Sequence, residues 1–214
     1  MGSTRVAASL AAFVLLAAGT AFAAAVGDGF YGIEITNGTA DLYDARGAAS
    51  GSISSYAHSE LGVGLQYWRM MAGDYAFHLT LGSGWFRETD TPGDHAAPGA
   101  RASRYTQTSW SGSVGGDRTV KIGERAAVYF GPGFEYWTGK ARWDGGAGSV
   151  ESQLVTRYAL VGRVGGVMLL SGRTGINCEV GRYAGYATVT DQGARASWFP
   201  SGVQASAGLV FRGR

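Results

Sequence analysis

The chain carries a single cysteine, Cys178, so no internal disulfide can hold the fold together and its stability must come from elsewhere. Cys178 reads as a small apolar residue, buried or facing lipid. Prolines number four and charged side chains make up 16% of the 214 residues, against roughly 25% charged in an average soluble protein. The formal net charge is +2, with lysine and arginine scattered singly. That balance argues against a nucleic-acid partner. Past the N-terminal segment, no run approaches the ~18 consecutive apolar residues of a membrane-spanning helix. Helical periodicity is equally scarce.

What the chain has in excess is glycine, 36 residues, and aromatics at 12%. The glycines follow no fixed period and lie among aromatic and aliphatic residues, which excludes a collagen-like chain and speaks against low-complexity disorder. The clearest local signal is "MGSTRVAASLAAFVLLAAGTAFA". A short basic start at Arg5, an apolar run through Leu16 and the Ala21-Phe22-Ala23 ending have the layout of a secretory signal peptide spanning 1–23. No cysteine follows it, so nothing points to a lipoprotein anchor. The rest, 27–214, reads as one domain.

From Phe30 to Phe211 the pattern is period-two alternation. "YAFHLTLGSGWFRETD" sets Tyr75, Phe77, Leu79, Leu81 and Trp85 against Ala76, His78, Thr80, Gly82 and Gly84. "ELGVGLQYW", "AVYFGPGFEYW", "LVTRYALVGRVGGVML" and the closing run from Val203 to Phe211 alternate likewise. With "FYGIEI", "YTQTSWSGSV" and "GINCEVGRYAGYATV", eight strands are expected. Compact connections at 69–74, 116–125 and 170–175 take turns with longer ones near 37–53, 90–104, 143–150 and 190–197. Such alternation is the connectivity of an up-and-down antiparallel barrel whose two ends face different surroundings.

Geometry decides which face is inside. Ten residue steps separate Tyr75 from Trp85. At ~3.3 Å per residue and a tilt of about 45°, they rise about 23 Å along the axis. The apolar band of a membrane barrel is ~25 Å tall, with aromatic girdles at both edges. Tyr67, Trp68, Tyr75 and Phe211 near the short turns, and Trp85, Tyr105, Tyr136, Trp137 and Trp198 near the long loops, are the expected girdle. The bulky apolar face then meets lipid, and the small polar face fills the barrel. The expected interior network is Glu34, Glu60, Gln66, His78, Glu135, Arg157, Arg163, Glu179 and Gln204, with glycines making room for it. Buried charges of both signs need pairing. Glu135 is expected to pair with Arg157, and Arg163 to reach Glu179, the alternative being a mutually screened interior network with no privileged pair. One strand resists the phasing, because Arg182 would face lipid; a β-bulge at Gly181 that turns Arg182 inward and Tyr183 outward is the expected remedy.

The segments "GVGLQYW", "FGPGFEYW" and "SAGLVF" make the chain resemble the small eight-stranded outer-membrane barrels of Gram-negative bacteria, of the OmpA/OmpX type. The resemblance covers roughly 27–214 and rests on architecture more than on a motif. It implies an all-β, eight-stranded antiparallel up-and-down transmembrane β-barrel in the outer membrane with both termini periplasmic. It implies outer-membrane lipid as surroundings and the barrel-assembly machinery as partner, with Phe211 as the terminal aromatic read during assembly. Arg212, Gly213 and Arg214 beyond Phe211 depart from the family pattern. A monomer is expected, with a structural or surface-interaction role carried by the loops.

Chemical motifs are sparse. His58-Ser59-Glu60 has the residue types of a hydrolytic relay, but neighbours on a strand point to opposite faces. Asp90, Asp94 and His95 could hold a cation, although turn-forming residues account for the stretch equally. No enzymatic activity, cofactor or metal is expected. A pore is disfavoured because side chains fill an eight-stranded barrel. Two other readings stay open. One is a soluble, secreted calycin-like ligand barrel, which would point its bulky apolar face inward. The other is an outer-membrane lipid-modifying enzyme.

Overall fold

The computed structural model describes residues 28–43, 55–90, 103–122, 125–145, 148–151, 154–191 and 194–213; the expected signal peptide at 1–23 and most of the long connections, with Asp94 and His95, lie outside them. The chain forms β1 (Gly29–Tyr43), β2 (Ser55–Met70), β3 (Tyr75–Asp90), β4 (Ser103–Lys121) and β5 (Ala126–Gly145). It continues as β6 (Gly148–Glu151), β7 (Val155–Leu169), β8 (Thr174–Asp191), β9 (Ala194–Trp198) and β10 (Ser201–Arg212). Each long strand pairs antiparallel with its neighbour, and β10 pairs with β1 from Phe30–Arg212 to Gly38–Gln204. The sheet therefore closes on itself as an eight-stave barrel, which removes its edges.

Ten strand segments make eight staves for two local reasons. β9 and β10 share one register on β8, with Trp198 opposite Ala187 and Ser201 opposite Ala184. Pro200 interrupts them because it has no N–H for the ladder, while its carbonyl still accepts from the Gly185 amide at 3.0 Å. β6 folds back on the end of β5, so part of the 143–150 connection is strand. Strand likewise extends through 37–43 on β1 and through 116–121 on β4, both of which the sequence pattern assigned to connections.

Turn chemistry fixes the tight ends. Between β2 and β3, Gly73 and Asp74 adopt positive φ values of 73° and 62°, a region that Gly enters freely and Asp tolerates. Between β7 and β8, the Ser171 hydroxyl accepts from the amides of Arg173 and Thr174 at 3.2 and 3.0 Å.

The alternation decides what each side chain meets. Ile33, Ile35, Leu65, Leu81, Leu160 and Leu209 lie exposed on the outer wall, Leu160 at 72%. Inside, Phe30, Trp68, Met70, Ala76, Ala127, Tyr129, Val167, Leu169 and Val210 pack into an apolar floor at the short-turn end. A second cluster of Trp137, Val155 and Val189, with Trp198 against it, lies toward the long-loop end. Polar side chains occupy the space between. A calycin-like barrel requires the opposite polarity. Among the described residues, no helix is long and apolar enough to cross a membrane.

Candidate functional site

The ladder places Glu34, Gln66, His78, Glu135, Arg157, Arg163 and Glu179 in the interior, each buried. Glu60 and Gln204 share their inward phase and are part-buried. Arg157 donates to Glu135 at 2.5 Å. The Arg157 guanidinium also lies over the ring of Tyr183, 4.0 Å from its centroid, and 5.2 Å from that of Trp137. Trp137 in turn donates to Glu60 at 3.3 Å, and the Ser109 hydroxyl donates to the same carboxylate. Asn177 donates to Gln66 at 3.2 Å.

Arg163 does not take Glu179, as the sequence pattern suggested, but donates to Asp117 at 3.0 Å. Asp117 is fully buried and is the main interior residue that sequence reasoning missed, because 116–125 was read as a turn. Its signal was available: Asp117 continues the inward series Ser109, Ser111, Ser113 and Gly115. The Arg163 guanidinium runs over Gly115 and Gly133, where any Cβ would collide with it. Here glycine is required by space.

His78 lies between Asp117 and Thr80, with Nδ1 3.2 Å from Asp117 Oδ2 and Nε2 3.0 Å from Thr80 Oγ1. The three side chains have the types of a nucleophile–base–acid relay. Two features oppose that use. Asp117 is already committed to Arg163, and β3 is paired on both sides from Ala76 to Trp85. Its backbone N–H groups are spent in the ladders, which leaves no donor for an oxyanion. His78 instead packs against Trp68 and Tyr129 at the top of the floor, with ring centroids 5.0 and 6.4 Å away. His58 and Glu60 share one strand, β2, and the His58 side chain lies outside what the structure describes. Among the described residues, no three His, Cys, Asp or Glu side chains converge as metal ligands.

The outer wall corrects the girdle. Tyr67, Tyr75, Trp85, Tyr136 and Phe211 point outward, but Trp68 and Trp137 are buried inside at 6% and 4% exposure. Tyr105 has the inward phase and contacts Gln107, and Trp198 packs against the inner cluster of Trp137. The reason is parity: Trp68 and Trp137 directly follow Tyr67 and Tyr136, and adjacent residues cannot share a face. The outward aromatics at the short-turn rim include Tyr31, with its ring 5.1 Å from that of Tyr67. At the other rim Tyr158 lies 5.3 Å from Tyr136, and Phe199 lies 5.4 Å from Tyr186.

The bulge at Gly181 is absent. β8 pairs with β7 and β10 in unbroken register through Gly181, so Arg182 stays exposed on the outer wall and Tyr183 is buried at 1%. Opposite Arg182 stands Gly162, whose outward side is open space.

No known family matches the chain, and no curated protein matches it in sequence. Its fold is similar to that of Ail, the attachment invasion locus protein of Yersinia pestis, at 12% identity and a TM-score of 0.51, over 88% of this chain and 100% of that one. The outer membrane protein OprG from Pseudomonas aeruginosa aligns at 10% identity and a TM-score of 0.42, over 88% and 97%. Neisserial surface protein A aligns at 10% and 0.44, over 86% and 96%. At 12% identity the likeness to Ail is one of fold alone.

Proposed function

We propose that the protein is an integral outer-membrane barrel with a structural or surface-interaction role, carried by its long connections. The observation that carries this reading is the polarity of the wall: an apolar outer face with aromatic rows toward both rims, around a polar, partly ion-paired interior. Such a face is stable in hydrocarbon and costly in water. The apolar floor around Trp68 and Tyr129 argues against an aqueous channel, and the committed partners of His78 and Asp117 argue against catalysis. Residues 1–23 would direct export and be cleaved, and Phe211 would be read by the barrel-assembly machinery. The barrel works as a monomer, since its wall is complete within one chain.

Membrane fractionation combined with gel migration before and after heating tests this. The expected result is recovery in the outer-membrane fraction and a faster-migrating unheated form. A chain that stays soluble without detergent would overturn the reading.

A further inference from the structure

Among the described residues, carboxylates inside the barrel outnumber the guanidinium groups that face them. Five carboxylates point inward from the described strands, those of Glu34, Glu60, Asp117, Glu135 and Glu179. Arg157 takes Glu135 and Arg163 takes Asp117. Arg212, at the rim, is occupied by Asp28 at 2.5 Å. Glu34, Glu60 and Glu179 have no guanidinium within ion-pair distance among the described residues. Among the described residues, Glu60 accepts from the neutral donors of Ser109 and Trp137, with the Arg157 guanidinium acting on it at longer range. Carboxylates removed from water in this way either keep a proton or hold a cation.

All three line one cavity of about 90 Å³, several times the ~10–15 Å³ that a single water needs. Glu34 stands opposite Gly208 and Glu179 opposite Ser206, so the two carboxyl groups flank one short stretch of β10. Glu179 is 8% exposed and its Oε2 has no hydrogen-bond partner. The facing wall is kept bare by glycine. A Cβ at Gly64 would lie 2.8 Å from Glu34 Oε1, and one at Gly84 would collide with Glu60. The space is therefore reserved for these carboxylates and for whatever they hold.

The occupant's chemistry follows from how the acceptors are spread. They do not converge on one point as metal ligands do. Carboxylates and serine hydroxyls surround the cavity on several strands, and the Arg157 guanidinium that also lines it is held by Glu135, an arrangement that suits a ligand with positive N–H donors at more than one place. The apolar floor bounds the cavity on the short-turn side, and the cluster around Trp137 bounds it toward the long loops. We propose that the interior binds a short aliphatic amine, with an ammonium group between Glu34 and Glu179 and a second donor toward Glu60. The proposal rests on the barrel interior and is independent of the membrane assignment.

The probe is 1,4-diaminobutane, titrated calorimetrically at low ionic strength into the full chain folded in a zwitterionic detergent. The uncharged isostere 1,4-butanediol serves as control. The diamine is expected to bind and the diol to give no heat. Glu34→Gln and Glu179→Gln should each weaken binding tenfold or more, and Asp74→Asn on the short turn should leave it unchanged. Ser111→Leu, which fills the cavity without touching a charge, should also abolish binding and covers the case in which a carboxyl variant fails to fold. Equal binding by the wild type and all cavity variants would place the amine on the surface and overturn the proposal. Calcium chloride binding more tightly than the diamine, and lost in the same variants, would overturn it in favour of a metal. A wild type that ignores the diamine while Glu179→Gln raises the thermal midpoint would mean that the carboxyls are held neutral, which overturns it too.

Discussion

Arg157 and Glu135 meet at 2.5 Å across the β5–β7 ladder, with both side chains at 6% exposure or less. Removing one partner strands the other charge in a medium poor in water. Glu135→Ala should therefore cost about 3–5 kcal/mol, and Glu135→Ala with Arg157→Ala should recover much of that loss. Urea unfolding in lipid vesicles measures the cycle. Strictly additive effects would mean that the contact carries no coupling.

Leu160 is the most exposed leucine of the outer wall. In bilayers, Leu160→Arg should destabilise the barrel by about 2–4 kcal/mol, the midplane figure for a charge on the lipid face. In detergent, where the surroundings rearrange around the charge, the loss should shrink. Neutral behaviour in bilayers would count against a membrane-embedded wall.

Arg182 supplies the reverse experiment. Four residues along β8 from Tyr186, it sits about 9 Å short of that aromatic level along the axis, within reach for a side chain that extends its charge toward the interface. The Arg182→Leu variant should gain about 1–2 kcal/mol, between the midplane and interfacial costs of arginine. A loss of stability on that change would show that Arg182 holds a stabilising partner.

Two glycines separate interior space from wall. Gly115→Ala drives a methyl group into the Arg163 guanidinium, whereas Gly162→Ala meets nothing within 4 Å. The first should cost about 1–3 kcal/mol through overpacking, and the second should be near neutral. Thermal midpoints read by heat-modifiable gel migration distinguish them.

Much of the barrel was legible in the sequence because a strand carries its own phase. Once Leu79 is outward, His78 and Thr80 are inward, and the same parity orders Arg157 against Tyr158. The errors arose where residue type was allowed to overrule parity. Trp68 and Trp137 were placed in the girdle because tryptophan favours interfaces, yet each follows a tyrosine that already holds the outward position. The bulge at Gly181 was invoked to spare Arg182 from lipid, but the ladder kept its register and left the arginine outside. Asp117 was hidden by an early turn boundary. The partner of Arg163 was not legible at all, because it depends on the stagger of strands that are distant in sequence, and no local pattern records it.

The pairing of Phe30 with Arg212 joins the first stave to the last, so its consequence is one of order in time. Until Ser201–Arg212 has been synthesised and delivered, β1 and β8 each present a row of unpaired amides and carbonyls. Every partly built barrel is thus an open sheet with two adhesive margins. Closure rewards only contacts between the ends of the chain, so loop entropy is spent long before it is returned, and folding should be slow. A chain of this design needs to be held apart from its own copies until the seam shuts. The Asp28–Arg212 bridge at 2.5 Å is formed by the residues that complete that seam.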